Sequence, residues 1–400
     1  GMTEADANNY YSQCITASAA IIDNSGKSLY RPNPATRTDA AKNFQDLFQN
    51  PTGAMEEVIF MKAYIDGSTT RMQGHSYDVY FNPSQTAPSY SYYGRFNPTL
   101  NLVDLFEDYT DNGTGQSAPL ATRTDGVENE YVANPGTDLD LTKPYILYNN
   151  PTEIFANKDA RFFASIITPG SVWKGKTMVI QGGMIRSDGT KVIYQNGNAV
   201  GLDGITYYAY GGSSGPEYSG FAQLGNNEQG NFTSSGFNVK KYLRESMTTI
   251  TQFICTTPYI DFRLAEIYLN YAEAAIESGQ GNATLAAQYL NALRSRAGHT
   301  DNIPATIDNI LKERRIELAF EGHRYWDLVR RRDSHLAFNN TTRKALVPIL
   351  DLRENPPKYF FVRANNWPDN NAGGRTFETK SYYLPIPDVS TSGLVQNPQY

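Results

Sequence analysis

Apolar side chains recur every three to four residues near the two ends of the chain, and this spacing predicts amphipathic helices. In the N-terminal part the pattern predicts helices over residues 4–22, 37–49 and 54–64. In the C-terminal part it predicts helices over 261–278 and 285–297, and the second stops at Gly298. Glycine is a common helix C-cap, because it adopts left-handed backbone angles without strain.

A further helix begins at Thr306, and Gly322 interrupts it ahead of Tyr325 and Trp326. Two helices joined by about five residues form an antiparallel hairpin, and such hairpins stack into superhelices. The pair over 261–298 is close to the ~34-residue period of tetratricopeptide-type repeats. The predicted fold is therefore mostly α, a tetratricopeptide-like scaffold of helical hairpins (an α-α superhelix).

The middle of the chain, residues 66–257, breaks the helical pattern with clusters of Gly, Pro, Asn, Ser and Thr. Apolar runs of strand length stand between these clusters, at 162–167, 178–181, 192–194 and 206–210. A structureless loop of this length would be unusual in a compact domain. We therefore expect a loop-rich, ligand-facing excursion with small β elements, carried by a helical scaffold over 4–64 and 258–335. The whole chain, 1–400, is expected to be one domain that ends in an irregular tail over 336–400.

Composition narrows the range of functions. The 400 residues contain 35 Lys and Arg against 41 Asp and Glu, and a net charge of −6 gives no general attraction to nucleic acid. No apolar run approaches the roughly 18 residues that a membrane-spanning helix needs. Aromatic residues make up 12% of the chain and charged residues only 19%. A Tyr-rich, weakly charged surface suits the binding of neutral polar ligands by ring stacking.

The two cysteines, Cys14 and Cys255, are too few for a disulfide framework or a Cys-rich metal site, and the sequence leaves their pairing open. The four histidines have no metal-binding spacing, so neither a metal nor a cofactor is predicted. Gly1 and Met2 are interpreted as remnants of an expression tag, so that a targeting segment could have been removed.

Three motif matches fail on their sequence context. Residues 170–177, GSVWKGKT, match the phosphate-loop pattern, but a β-branched run and two glycines follow where a helix must start, so we expect a β-turn. Residues 211–215 match the nucleophile elbow of hydrolases, yet Pro216 follows instead of a helix. Residues 108–113 resemble the start of a calcium loop, in which Pro119 replaces the final glutamate.

Charged residues spaced three or four apart form a dense charged stripe in the C-terminal third. Helical neighbours at this spacing form ion pairs, so we expect salt bridges between helices in preference to a catalytic group. Carboxylate pairs for glycoside hydrolysis stay open as an alternative, since such a pair need only meet in space. The members of the charged stripe are Glu313, Arg314, Arg315, Glu317, Glu321, Arg324, Asp327, Arg330 and Arg331.

Aromatic residues also cluster in the Gly-, Ser- and Pro-rich loops of the middle segment. Rings on such loops can stack on the apolar C–H faces of sugars, with side-chain amides supplying hydrogen bonds. The alternative is that the rings pack the loops together, since long loops need small cores of their own. The candidate ligand-binding residues are Tyr90, Tyr92, Tyr93, Trp173, Tyr194, Tyr207, Tyr208, Tyr210 and Tyr218.

Several segments resemble the SusD/RagB family of outer-membrane lipoproteins of Bacteroidetes. The longest are 263–274 (RLAEIYLNYAEA), 290–298 (LNALRSRAG) and 313–328 (ERRIELAFEGHRYWDL). The ending, with LPIP at 384–387 and QNPQY at 396–400, is similar to the terminal signature of that family. Weaker similarity lies at 57–60 and 157–162.

The resemblance implies a non-enzymatic protein on the extracellular face of the cell outer membrane that captures oligosaccharides or polysaccharides as nutrients. It implies a SusC-like TonB-dependent transporter as the partner that receives the glycan. A peptide-binding protein and a glycoside hydrolase are the alternatives. Family members begin with a lipidated Cys and several helices, so we expect a truncated or short relative whose lipid anchor is absent from this chain. The motif residues would be scaffold, and no ligand residue transfers by motif.

Overall fold

The structure is a computed structural model that describes residues 3–65, 73–86, 94–109, 114–209, 233–365 and 374–400. Its helices are α1 (Glu4–Asn24), α2 (Arg37–Gln49), α3 (Tyr77–Phe81), α4 (Leu100–Val103), α5 (Pro135–Asp138), α6 (Ala160–Ser165), α7 (Leu264–Ser278), α8 (Ala283–Arg296), α9 (Ile307–Glu317), α10 (His323–Arg330), α11 (Ser334–Phe338) and α12 (Val389–Ser392). Its strands are β1 (Val58–Lys62), β2 (Ile166–Ile167), β3 (Val172–Trp173), β4 (Lys176–Thr177), β5 (Gly183–Ile185), β6 (Lys191–Ile193), β7 (Gly197–Val200), β8 (Thr206–Ala209), β9 (Asn238–Val239), β10 (Tyr259–Arg263), β11 (Lys344–Asp351) and β12 (Lys358–Asn365).

The helical scaffold is centred on α7, which packs against α1, α8 and α9. Leu264 and Leu269 of α7 and Leu290 of α8 are fully buried in the resulting core. Helix α7 ends at Gly279 in the left-handed conformation (φ 66°), and the chain turns back into α8 behind the Asn282 cap. This pair of helices is the hairpin that the sequence predicts, at the position that it predicts.

The helices predicted over 37–49 and from Thr306 onward are confirmed as α2 and α9. Each of these helices begins directly after a threonine cap. Thr36 Oγ1 accepts a hydrogen bond from the backbone N–H of Asp39 at 3.0 Å, and Thr306 Oγ1 does the same at the start of α9. The helix predicted over 54–64 is wrong, because this segment contains β1, which pairs with β10 in antiparallel orientation. Pairing with a strand that is distant in sequence overrides its weak helical spacing.

The strands predicted in the excursion are only partly confirmed. β6 and β8 occupy most of 192–194 and 206–210, whereas 178–181 belongs to no strand. The apolar run at 162–167 is mainly the helix α6, which begins at the Asp159 cap and leaves only two residues to β2. A short apolar run fits a buried helix as well as a strand, so its periodicity does not separate the two.

The C-terminal segment is not the irregular tail that the sequence suggests. Strands β11 and β12 are each eight residues long and pair with each other in antiparallel orientation along their whole length. β11 also pairs with β5 of the excursion in parallel orientation, which gives a four-stranded sheet in the order β12-β11-β5-β6. Ile185, Val347 and Phe360 are buried on this sheet, so the excursion and the C-terminal segment share one core.

Buried ion pairs join the helices of the scaffold. The carboxylate of Glu317 on α9 is fully buried and accepts hydrogen bonds from Arg161 Nη1 (3.0 Å), Arg263 Nη1 (2.7 Å) and a guanidinium nitrogen of Arg296. Burial opposes ionisation of Glu317, but the three guanidinium groups outweigh burial and hold its pKa well below the ordinary value. The buried ion network consists of Glu57, Asp159, Arg161, Lys241, Arg263, Arg296, Glu313, Glu317 and Glu321.

The prediction that the charged stripe forms salt bridges between elements is confirmed for most of its members. Arg314 binds Asp327 at 2.9 Å, and Arg330 binds Glu273 of α7 at 2.5 Å. Arg315 and Arg324 differ from the rest of the stripe. Within the described part of the chain, neither of these two guanidinium groups has a hydrogen bond or an ion pair.

One buried carboxyl group, that of Asp78, lacks the close cationic partners that the carboxylates of the buried ion network have. Asp78 on α3 is 1% exposed, and among the described residues neither of its carboxyl oxygens has a hydrogen-bond partner. Burial raises the pKa of Asp78, and the nearby Cys255 thiol, together with Lys174, His75 and Arg244, only partly offsets that effect. The folded protein therefore binds a proton at Asp78 more tightly than the unfolded chain does, and this carboxyl group destabilises the fold as the pH rises through its raised pKa.

We expect Asp78→Asn to increase the free energy of unfolding at neutral pH by about 1–2 kcal/mol, because the substitution removes a buried charge that has no partner. The gain is expected to shrink at pH 4, where the wild-type carboxyl group carries its proton. Urea unfolding at the two pH values measures both effects. The exposed Asp261→Asn is the matched control, with a change below about 0.5 kcal/mol. A loss of stability in Asp78→Asn at neutral pH would contradict the prediction.

Candidate functional site

Strands β7 and β8 form an antiparallel hairpin in the excursion, in which Asn198 lies opposite Tyr208. Alternation along the strands turns Ala199 and Tyr207 toward a small apolar core. Tyr208 is 50% exposed on the opposite face, and Val200 is exposed on the same side. The hairpin thus leaves one tyrosine half-exposed and uses its neighbour as an anchor.

The anchoring ring of Tyr207 is fixed by the turn of the hairpin. Its hydroxyl group donates a hydrogen bond to Asp203 Oδ2 at 2.7 Å, and Asp203 Oδ1 accepts from the backbone N–H of Ile205 at 3.0 Å. The hydrogen bond to the carboxylate raises the pKa of Tyr207 to about 12. These contacts give the hairpin a defined shape before any ligand binds.

A cleft of about 390 Å³ lies beside the hairpin, and we call it the Tyr359 cleft. Its walls come from residues 150–152, from residues 177–181 and from Tyr359 on β12. Tyr359 and Tyr207 pack against the same apolar cluster, so the hairpin and the cleft share a support. The volume is within the usual range for a pocket that holds a small ligand.

The polar groups of the Tyr359 cleft are uncharged. Asn150, Thr152, Thr177 and Gln181 supply amide and hydroxyl groups, and none of the described residues that line the cleft carries a formal charge. Gln181 Nε2 donates to the backbone oxygen of Tyr208 at 3.2 Å, which connects the cleft directly to the hairpin. A neutral polar ligand with an apolar ring face fits this lining. The pair of carboxyl groups that glycoside hydrolysis requires is not among these lining residues.

Trp173 and Tyr194, two of the predicted ligand-binding residues, pack the loops together. Trp173 is 1% exposed, and its Nε1–H donates to Asn82 Oδ1 at 3.1 Å. Both faces of its ring are therefore covered, and it has no surface for stacking on a sugar. Tyr194 is half-buried against the core of the four-stranded sheet, and burial raises its pKa. For these two residues the structure supports the packing alternative.

Among the predicted candidates that the structure describes, it brings together Tyr207 and Tyr208. Tyr90, Tyr92, Tyr93, Tyr210 and Tyr218 lie outside the described residues. Sequence reasoning missed Tyr359, because the segment around it was expected to be irregular. The apolar run at 359–362 indicates a strand, but nothing in the sequence places that strand beside the hairpin.

The phosphate-loop match is a β-hairpin, as its sequence context predicts. β3 and β4 pair across a turn in which Lys174 (φ 50°) and Gly175 (φ 74°) both have left-handed backbone angles. Lys176 Nζ donates to the backbone oxygen of Gln85 at 3.0 Å and is not presented to a phosphate group. Most of the calcium-loop match and all of the nucleophile-elbow match, 211–215, lie outside the described residues.

The remaining sequence features have plain structural outcomes. Cys14 and Cys255 are both free thiols, which answers the question of their pairing. No group of three or more His, Cys, Asp or Glu side chains in the described ranges is arranged to hold a metal ion. Within the same ranges, no helix has the length and apolar character that crossing a membrane demands.

The helical scaffold with its sheet-supported face is a fold found in solved SusD-like proteins. A SusD-like protein from Bacteroides fragilis matches with a TM-score of 0.59 at 20% identity, over 98% of this chain and 62% of its own. A SusD-like carbohydrate-binding protein from the same organism matches with a TM-score of 0.55 at 19% identity, over 95% of this chain and 60% of its own. This chain therefore spans about three-fifths of the length of these relatives.

The sequence itself matches the model of the SusD family over residues 56–400. The protein belongs to the SusD family, and the resemblance described above is confirmed. The match includes the excursion, the C-terminal sheet and the helices from α7 onward. Among curated proteins, none matches the sequence.

Proposed function

We propose that the protein binds neutral oligosaccharides in the Tyr359 cleft, with Tyr208 of the hairpin as an exposed stacking platform. The observation that carries this proposal is the lining of the cleft, which combines a tyrosine ring with amides and hydroxyls and holds no formal charge among its described residues. Sugar rings offer apolar C–H faces to aromatic rings and hydroxyl groups to amides. The carbohydrate-binding description of one SusD-like relative supports the same class of ligand.

The same proposal extends to the place of the protein in the cell. We propose a cell-surface protein, lipid-anchored in its full-length form at the extracellular face of the outer membrane, that passes captured glycan to a SusC-like TonB-dependent transporter. Membership of the SusD family supports this role. Co-purification of the protein with a SusC-like transporter from the same organism tests the partnership, and a full-length protein that never associates with such a transporter would argue against it.

We expect Tyr208→Ala to weaken the binding of a neutral oligosaccharide about two- to twelvefold, because the variant loses a stacking contact of about 0.5–1.5 kcal/mol. Calorimetric titration against a panel of neutral glucans, mannans and xylans finds the ligand and measures the change. Tyr10→Ala is the matched control, since Tyr10 is also an exposed tyrosine but lies on α1, and its affinity should equal that of the wild type.

Three results, from this titration or from parallel assays of peptide binding and of reducing-sugar release, would count against the proposal. Folded protein that binds no member of the panel would remove the glycan-binding function. Tight binding of peptides in place of sugars would reassign the cleft to a peptide ligand. Release of reducing sugar from a bound glycan would make the protein a glycoside hydrolase.

A further inference from the structure

A second cleft, of about 300 Å³, lies at the junction between α9 and α10, and we call it the Arg315 cleft. Arg315 contributes from α9, Arg324 and Tyr325 contribute from α10, and Phe320 contributes from the turn between them. Most of the exposed surface inside the cleft is apolar, and the polar part comes mainly from charged side chains. None of the residues proposed for sugar binding lines this cleft.

The charges in the Arg315 cleft are unbalanced. Arg315 is half-buried, and Arg324 is exposed, and within the described residues neither guanidinium group has a hydrogen bond or an ion pair. Burial, together with the charge of nearby Arg324, lowers the pKa of Arg315 to about 10. The two groups thus repel each other, and Arg315 is also partly dehydrated, a cost that an anion between them would reduce.

The acidic residue that lines the cleft does not neutralise these arginines directly. Asp327 is bound by Arg314 at 2.9 Å and by Arg330 at 2.9 Å, so its carboxylate is already shared by two other cations. Asp327 and Asp333 act on Arg324 only through their electric field, without an ion pair. The cleft therefore keeps unused positive charge in a protein whose net charge is −6.

Two aromatic residues line the cleft, and a third contacts one of them. Tyr325 lines it, and Trp326, which is 64% exposed, contacts Tyr325 edge to face with 5.1 Å between the ring centroids. Phe320, which also lines the cleft, has φ 66°, a left-handed angle that is strained for a bulky residue. Two unpaired guanidinium groups beside exposed rings suit a ligand with an anionic group on a ring that has apolar faces.

We propose that the Arg315 cleft is a second binding site, which takes the carboxylate of an acidic sugar unit, a uronic acid, with Tyr325 and Trp326 stacking on the adjoining ring. A concave site of this volume holds one or two sugar rings, whereas protein partners prefer broad and flatter surfaces. The choice of a saccharide rests on the proposed function, while the requirement for an anion rests on the arginines alone.

The test is a titration of the protein with trigalacturonate and, in parallel, with a neutral galactose trimer. We expect saturable binding of trigalacturonate that weakens with added salt, and at least a tenfold loss of affinity in both Arg324→Gln and Arg315→Gln. Lys42→Gln removes the same unit charge from an exposed position on α2 and should leave the affinity unchanged. Thermal unfolding of each variant verifies that the fold is intact.

The outcomes separate this site from the Tyr359 cleft. Absence of trigalacturonate binding to the folded protein, or binding that both arginine variants leave unchanged, overturns the proposal. Equal binding of hexaglutamate through the same arginines would reassign the cleft to an acidic protein partner and also overturns it. Loss of neutral-glycan binding in Tyr208→Ala with trigalacturonate binding intact supports two separate sites. Failure of every neutral glycan with intact trigalacturonate binding removes the first function and leaves the second.

Discussion

Replacing Glu317 by Gln is expected to lower the free energy of unfolding by about 3–5 kcal/mol, which is the cost of removing one partner from a buried ion pair. Glu317 receives hydrogen bonds from Arg161, Arg263 and Arg296, and its side chain is fully buried. The amide of Gln keeps one acceptor oxygen but places an N–H₂ group against guanidinium donors. At least one buried cation then loses its counter-charge without gaining water.

The pH dependence gives this prediction a second readout. The guanidinium groups lower the pKa of Glu317 in the folded state, so its contribution is present above the ordinary glutamate pKa of about 4.3 and is lost as the pH falls through the lowered value. The difference between wild type and Glu317→Gln should therefore narrow in strong acid. Urea unfolding at neutral and acidic pH measures it.

The control for this experiment lies on the same helix. Asp308→Asn removes the same charge from the exposed first turn of α9, and we expect a change below about 1 kcal/mol. A cost of Glu317→Gln no greater than that of Asp308→Asn would show that the buried ion network does not hold the scaffold together.

Gly183→Ala is expected to destabilise the protein by about 2–3 kcal/mol through a clash between two backbones. A Cβ atom at Gly183 would lie 2.3 Å from the carbonyl oxygen of Val192 and 2.6 Å from Ile193 Cα on the neighbouring strand β6. These are backbone atoms of a paired strand and cannot rotate away, so β5 and β6 must separate. The affinity for neutral glycan should also fall, because β5 packs against β8 of the hairpin.

Gly197→Ala, on β7 of the neighbouring hairpin, is the matched control. Its new Cβ would meet only Val192 Cγ1, at 3.1 Å, and this methyl group belongs to a side chain that can adjust. We expect a change below about 1 kcal/mol. Urea unfolding compares the free energies of unfolding of the two variants. We expect the slope of this free energy against urea concentration to be the same in both. Equal stability of Gly183→Ala and wild type would show that the strands are not held at the spacing described here.

The sequence predicts those parts of the fold whose signals are local. The helical spacing over 37–49, the start at Thr306 and the apolar stripe of α7 depend on neighbours within a few residues, and the structure has these helices where the pattern indicates them. The segment over 54–64 has a partner, β10, about 200 residues later in the chain, and periodicity carries no information about such a partner.

The C-terminal sheet also contains a residue that sequence patterns count against a central strand. Pro348 lies in the middle of β11, a central strand with neighbours on both sides, and proline in a run of residues normally argues against a central strand. Pro348 has no backbone N–H and so donates no hydrogen bond to a neighbouring strand. Its carbonyl oxygen still accepts a hydrogen bond from the backbone N–H of Gly182 at 2.8 Å. Because the sequence analysis does not predict β12, it does not identify Tyr359 as a candidate. The sequence therefore indicates Tyr207 and Tyr208 of the hairpin but not Tyr359 of the cleft.

The order of strands in the C-terminal sheet restricts how this binding face can be re-engineered. A shortened scaffold without residues 66–257 would lose β5 and β6 and leave β11 with an open edge of unpaired backbone groups. Such an edge invites pairing with another chain, and we expect self-association of the shortened protein. The excursion therefore cannot be removed or replaced as a unit. If loops from a relative are grafted onto this protein, β5 and β6 must stay in place, and only the turns between strands can be exchanged.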